Sequence, residues 1–139
     1  ISPVKRSVEG LDLLIKHIEE RQVAEKILPL LPYGWHQDIL YFTQNEFADK
    51  VIVDGKEVEC TFEDLNGKYN CNGFKAVDGK MLKGCDNLAA FVEAWLSRRY
   101  GITSKHLEDA ERGLREQYKD KTVGGIDFGT IYSAFPENK

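Results

Sequence analysis

MLKGCDNLAAFVEAW, residues 81–95, decides how this chain reads. At about 100° per residue, Met81, Cys85, Leu88, Ala89, Val92, Trp95 and Leu96 fall on one continuous apolar face. That spacing predicts a helix from Gly79 or Lys80 to about Tyr100, stopped by Gly101. Asp86 lies at the edge of the face, beside Leu82 and Ala90, and Glu93 lies two turns further along the same border. A border carboxylate is either solvated, as most charges are, or aimed into a cleft where its hard oxygens suit a cation. Residue type alone leaves both readings open.

Working outward, a long helix is expected from about Val4 to Leu31. Val8, Leu11, Leu14, Ile15, Ile18, Ala24, Ile27, Leu28 and Leu31 follow helical spacing for the most part, and Pro29 and Pro32 mark its end. A second helix is expected over Trp35 to about Ala48, burying Ile39, Leu40, Phe42 and Phe47. The texture then changes. VIVDGKEVE is a β-branched run, an Asp-Gly pair and an alternating run, which reads as a hairpin. Asn66-Gly67, Asn72-Gly73 and Asp78-Gly79 add turn signals, so residues 50–80 read as a β-rich insertion between helices. Thr103 or Ser104 is placed to cap a later helix carrying Leu107, Ala110, Leu114 and Tyr118 on one face. Gly124-Gly125 breaks the chain before the aromatic segment IDFGTIYSAF. The class is mostly α with a small β element.

At 139 residues the chain suits one domain, 1–139, with a core of useful size. Nineteen Lys and Arg stand against 23 Asp and Glu, a formal net charge of -4. That balance, with only Arg98-Arg99-Tyr100 as a basic run, argues against nucleic acid as a partner. No apolar run approaches the roughly 18 residues of a membrane span, and no secretory leader pattern opens the chain. The cysteines, Cys60, Cys71 and Cys85, are odd in number and lack CxxC spacing, which points away from disulfides or a thiolate zinc site and toward the cytoplasm. ISPVKRSVEG starts without Met and runs at once into helix-like sequence, as expected of a chain lacking its natural N-terminus.

Little else in the sequence carries chemistry. His17, His36 and His106 show no i, i+4 pairing and no HExxH, so surface or structural roles are expected. Cys85, on the apolar face, reads as a small core residue rather than a reactive thiol. No phosphate loop, dinucleotide fingerprint or GxSxG elbow is present. No catalytic base is assigned.

Three stretches, in order, resemble the second half of an HD-domain metal-dependent phosphohydrolase, of the branch close to bacterial 5′-deoxynucleotidases. Ile1-Ser2-Pro3-Val4-Lys5 is similar to the Ser/Thr-Pro-Val-Lys that follows the family's His-Asp pair. AEKILPLLP, with EFAD later, resembles the ending of the next family helix. LKGCDNLAAF is similar to a late helix of the form L-V-K-x-x-D-x-L-x-A. The resemblance runs from Ile1 to roughly Gly101.

It implies an HD-domain-like helical bundle, of which this chain is the C-terminal part. It implies that Asp86 is a protein ligand to a divalent ion of the Mn, Co or Mg kind. Ile1 and Ser2, with Lys5, would line the pocket of a small phosphate ester, a (deoxy)nucleoside 5′-monophosphate. Family habit implies a homodimer. The other family ligands, an early-helix His and the His-Asp pair, have no counterpart, since no His-Asp dipeptide occurs here. The partner implied is therefore the missing N-terminal segment, and the chain alone is expected to be inactive. Glu46 matches a recurrent family carboxylate, for which packing and site roles are equally open. The alternative is a noncatalytic helical binding or dimerisation module of HD-like ancestry.

Overall fold

The computed structural model describes residues 10–138, so expectations for Ile1, Ser2, Val4, Lys5 and Val8 lie outside the described residues. The chain divides into two compact units, one of Leu14–Leu82, the other of residues 10–13 and 83–138. Both are dominated by helix, with short antiparallel strands, so the mostly α expectation holds.

Helix α1 (Leu11–Gln22) continues into a π turn, Val23–Ile27, and a 3-10 turn, Leu28–Leu30. Pro29 does not end the run. It sits in the first turn of the 3-10 segment, where its missing N–H costs nothing. The break falls at Leu31, forced into extended backbone by Pro32.

Helix α2 (His36–Thr43) is shorter than the sequence suggests, and its buried ring is Tyr41 rather than Phe42, which stays about half exposed. Gln44 turns extended and Asn45 takes a left-handed φ of 48°. The reason lies in the next element. Lys50 is fully buried, and its Nζ donates 2.5 Å bonds to the carbonyl oxygens of Tyr41 and Gln44, closing the carboxyl end of α2. A cation there complements both the orphan carbonyls and the helix dipole. Nζ also stands 4.6 Å from the Tyr41 ring centroid and 3.5 Å from Glu57 Oε1.

Strands β1 (Asp49–Val53) and β2 (Lys56–Glu59) form the expected hairpin. Val53 pairs with Lys56 across Asp54 and Gly55, whose φ values of 52° and 75° both lie in the left-handed region that a two-residue hairpin turn requires. Strand β3 (Val77–Asp78) completes a sheet of order β2-β1-β3, with Val51 of the central strand fully buried. The segment between β2 and β3 is not all β. Thr61 caps α3 (Phe62–Asn66) by accepting from Asp64 N, and Glu63 and Asp64 place acid in the first turn.

Helix α4 (Gly79–Arg99) starts at two carboxylates. Asp78 Oδ1 accepts from Met81 N at 3.1 Å, and the buried Asp49 accepts from Lys80 N at 3.0 Å. A Cβ at Gly79 would overlap the backbone of Phe47 and Ala48. Asp78-Gly79 is therefore a site of close backbone approach between residues 47–48, just ahead of β1, and the start of α4, rather than a free turn. At the other end Gly101, φ 90°, ends α4 in a Schellman motif, with Ile102 N bonded to Ser97 O and Gly101 N to Arg98 O.

The buried stripe of α4 differs from the predicted one. Gly84, Asn87, Ala90, Phe91 and Ala94 are buried, whereas Cys85, Ala89 and Leu96 are exposed, so Cys85 is not a core residue. Shape decided this. Phe128 Cζ lies 2.7 Å from where a Cβ of Gly84 would stand, and Asn87 Nδ2 donates to Tyr118 Oη at 2.6 Å. Small residues admit a ring, and an amide whose Nδ2 is hydrogen-bonded tolerates burial better than residue type suggests, although Asn87 Oδ1 accepts no bond among the described residues.

Helix α5 (Lys105–Tyr118) buries Ala110, Leu114 and Tyr118 as expected, and Glu111 beside them. Ser104 takes the cap position but its side chain makes no capping bond. The short pair β4 (Thr122–Val123) and β5 (Ile126–Asp127) turns at Gly124-Gly125 and leads into α6 (Phe128–Ser133). Tyr118 stacks on Tyr132 at 3° and 5.2 Å, and Phe91 meets Tyr132 and Phe135 at 4.6 and 5.5 Å. This aromatic cluster is the core of the second unit.

Asp127 caps α6: its carboxylate accepts from the Thr130 hydroxyl at 2.8 Å and from Thr130 N at 3.2 Å. Those two bonds, the hydroxyl's first, hold its carboxyl below the ordinary carboxylate range. A depressed folded value means the contribution is present above the unfolded pKa and is lost as pH falls through the folded one. Asp127→Asn is therefore expected to flatten the acid limb of the stability–pH curve while leaving the alkaline limb alone. Urea midpoints from neutral to strongly acid pH read this, and superimposable acid limbs refute it.

Candidate functional site

Asp86 sits on the second turn of α4, half-buried, next to Asn87 on the buried stripe, and it is not free of partners. Glu93, on the same helix, is exposed. Among the described residues no three His, Cys, Asp or Glu side chains come together as a group able to hold a metal ion. His36 Nε2 lies 3.0 Å from the Leu31 carbonyl oxygen at the start of α2, and His17 and His106 are exposed. Glu46 borders a depression of about 170 Å³ with Lys16, Glu19, Glu20, Val23 and Thr43.

The thiols do not form a site either. Cys71 and Cys85 are exposed. Burial, and then Asp49 and Asp64, push the Cys60 thiol up, with Lys80 opposing. A raised pKa leaves little thiolate for nucleophilic attack.

Sequence reasoning missed the densest charge network. Glu111, 3 % exposed, accepts from Arg98 Nη1 at 2.6 Å and lies 3.7 Å from Arg115 Nη2. Arg115 Nη1 also donates to the carbonyls of Tyr132 and Phe135, and its guanidinium covers the Phe91 ring at 4.9 Å. With Glu108, Arg112 and Glu137 these groups line a cleft of about 290 Å³. A signal was present: Glu111 falls at i+4 from Leu107 and i−3 from Leu114, inside the predicted apolar face. Arg98 and Arg115 are both engaged with Glu111, and Arg115 also holds the Tyr132 and Phe135 carbonyls, which makes the network a brace.

The model of one family, described as HD domain, matches residues 3–114. The chain belongs to the HD-domain family. No curated protein and no solved structure matches it significantly. The matched span takes in the sheet and α4 with Asp86, and it ends within α5, before β4, β5 and α6. HD domains are typically metal-dependent hydrolases of the phosphohydrolase superfamily. For this HD domain the described residues do not by themselves fit a divalent ion: Asp86 brings one carboxylate, and catalytic metal sites take about three protein ligands. No described helix is long and apolar enough to cross a membrane.

Proposed function

We propose that this HD domain works in hydrolysing a phosphate monoester, a (deoxy)nucleoside 5′-monophosphate, with Asp86 giving one carboxylate to a divalent ion. The observation that carries the reading is the position of Asp86 in LKGCDNLAAF, on α4, inside the span matched as an HD domain. A bound Mn, Co or Mg ion supplies a more acidic water and neutralises charge on the phosphoryl group. The remaining ligands come from a complementary polypeptide segment, since the chain has no His-Asp dipeptide. In this reading residues 1–139 form one domain with 50–80 inserted in it, Ile1, Ser2 and Lys5 border the nucleotide, and the protein is a cytoplasmic homodimer.

The test uses the chain joined to, or mixed with, its complementary segment. Phosphate release from a panel of nucleoside monophosphates and metal content by elemental analysis are both read. Asp86→Ala is expected to lower activity and metal affinity by about 100-fold or more, with the denaturation midpoint changed little. Full activity in that variant overturns the assignment of Asp86.

A second reading, a noncatalytic helical binding or dimerisation module, is favoured by the lack of a metal-competent group among the described residues. Absence of both metal uptake and phosphate release in the joined protein favours this second reading.

A further inference from the structure

The chain contains two Asn-Gly pairs, Asn66-Gly67 and Asn72-Gly73, and their backbones differ in one respect. At the first, Gly67 N is committed: it donates to Glu63 O at 3.0 Å and closes the end of α3. The second opens a 3-10 turn, Asn72–Phe74, whose bonds run from Phe74 N to Cys71 O and from Lys75 N to Asn72 O. Gly73 N precedes both of these donors, and the turn makes no use of it. Asn72 and Gly73 are both exposed.

We infer that Asn72 is a site of spontaneous backbone-assisted deamidation, and that Asn66 is protected from it. Gly73 N attacks the side-chain carbonyl carbon of Asn72. A carbon–nitrogen bond forms, the side-chain amide bond breaks, and ammonia leaves with the proton of Gly73 N. Water then opens the cyclic imide at either carbonyl, giving aspartate or isoaspartate. No oxidant or reductant takes part. Glycine permits the attack because it carries no side chain beside the nitrogen.

The product changes its surroundings. Asn72 borders a cleft of about 390 Å³ with Asp38, Phe42, Asn70, Cys71 and Lys75. Lys75 Nζ pairs with Asp38 Oδ1 at 2.6 Å there, and a new carboxylate competes for that ammonium. Isoaspartate also adds a methylene to the backbone of the turn. That turn sets Lys75 at φ 45°, where Tyr41 Oη donates to the Lys75 carbonyl at 2.8 Å.

The experiment is a time course of the native protein at mildly alkaline pH, read by tryptic mass mapping. Cleavage after Lys56, Lys68 and Lys75 places the two sites on separate peptides, 57–68 and 69–75. The acid form is expected to accumulate roughly fivefold faster in 69–75, the ratio set by about 1 kcal/mol for opening one backbone hydrogen bond. In denaturant the two peptides are expected to convert at similar rates. Gly73→Ala, whose Cβ would meet nothing closer than Cys71 Sγ at 3.9 Å, is expected to fold and to suppress the change in 69–75. Equal native rates, no native conversion in 69–75, or a difference that persists in denaturant each overturn the inference.

Discussion

Gly129→Ala is expected to destabilise the protein by about 3 kcal/mol or more. Gly129 is buried in the first turn of α6, and a Cβ there would overlap the carbonyl carbon and oxygen of Lys119, the residue that closes α5. The obstacle is backbone, so no rotamer change removes it. Relief would require α6 to move off α5, opening the stack of Tyr118 on Tyr132 and the contact of Phe128 with Tyr118. Gly113→Ala is the matched control. Gly113 is exposed on α5 with nothing within 4 Å of an added Cβ, so alanine is expected to stabilise by up to about 1 kcal/mol through helix propensity. Urea midpoints of the two variants should move in opposite directions. Similar midpoints would contradict the packing described for α5 and α6.

Lys50→Met is expected to cost about 2–4 kcal/mol. Methionine keeps much of the stem's bulk but leaves the Tyr41 and Gln44 carbonyls without their donor, and the half-exposed Glu57 without its buried cation. The dipole of α2 loses its compensating charge at the same step. Lys56→Met, one turn away on the exposed strand β2, serves as the reference and should stay within about 0.5 kcal/mol. Amide exchange over 41–44 localises the effect. Unchanged protection there in Lys50→Met would mean that the ammonium does not hold the end of α2.

The contrast between these two residues and Asp86 marks how far the sequence was legible. Period and punctuation were informative where the forces are local. Asp54-Gly55 announced the β1–β2 hairpin because only a residue pair tolerating left-handed φ makes that turn. Gly101 announced the end of α4 for the same reason, and the apolar spacing of α5 was right at Ala110, Leu114 and Tyr118. Asp86 was singled out by residue type, and the LKGCDNLAAF pattern placed it in a family whose model the chain matches.

Burial was less legible, because it depends on what arrives from elsewhere in the chain. On α4 the wheel favoured Cys85, Ala89 and Leu96, whereas Phe128 and Tyr118 chose the side offering Gly84 and Asn87. Lys50 and Glu111, both charged, are buried because partners distant in sequence complete them: helix carbonyls for the ammonium, and Arg98 with Arg115 for the carboxylate. Hydrophobicity read along a chain reports the cost of removing a residue from water, without what a partner returns. Helices, hairpin, mostly α class and family were thus determined by the sequence itself, through backbone preference and pattern. Which face of α4 is inside, which glycines admit no side chain, and which charges are buried were decided by the tertiary structure, where shape and paired polar groups outweigh residue type.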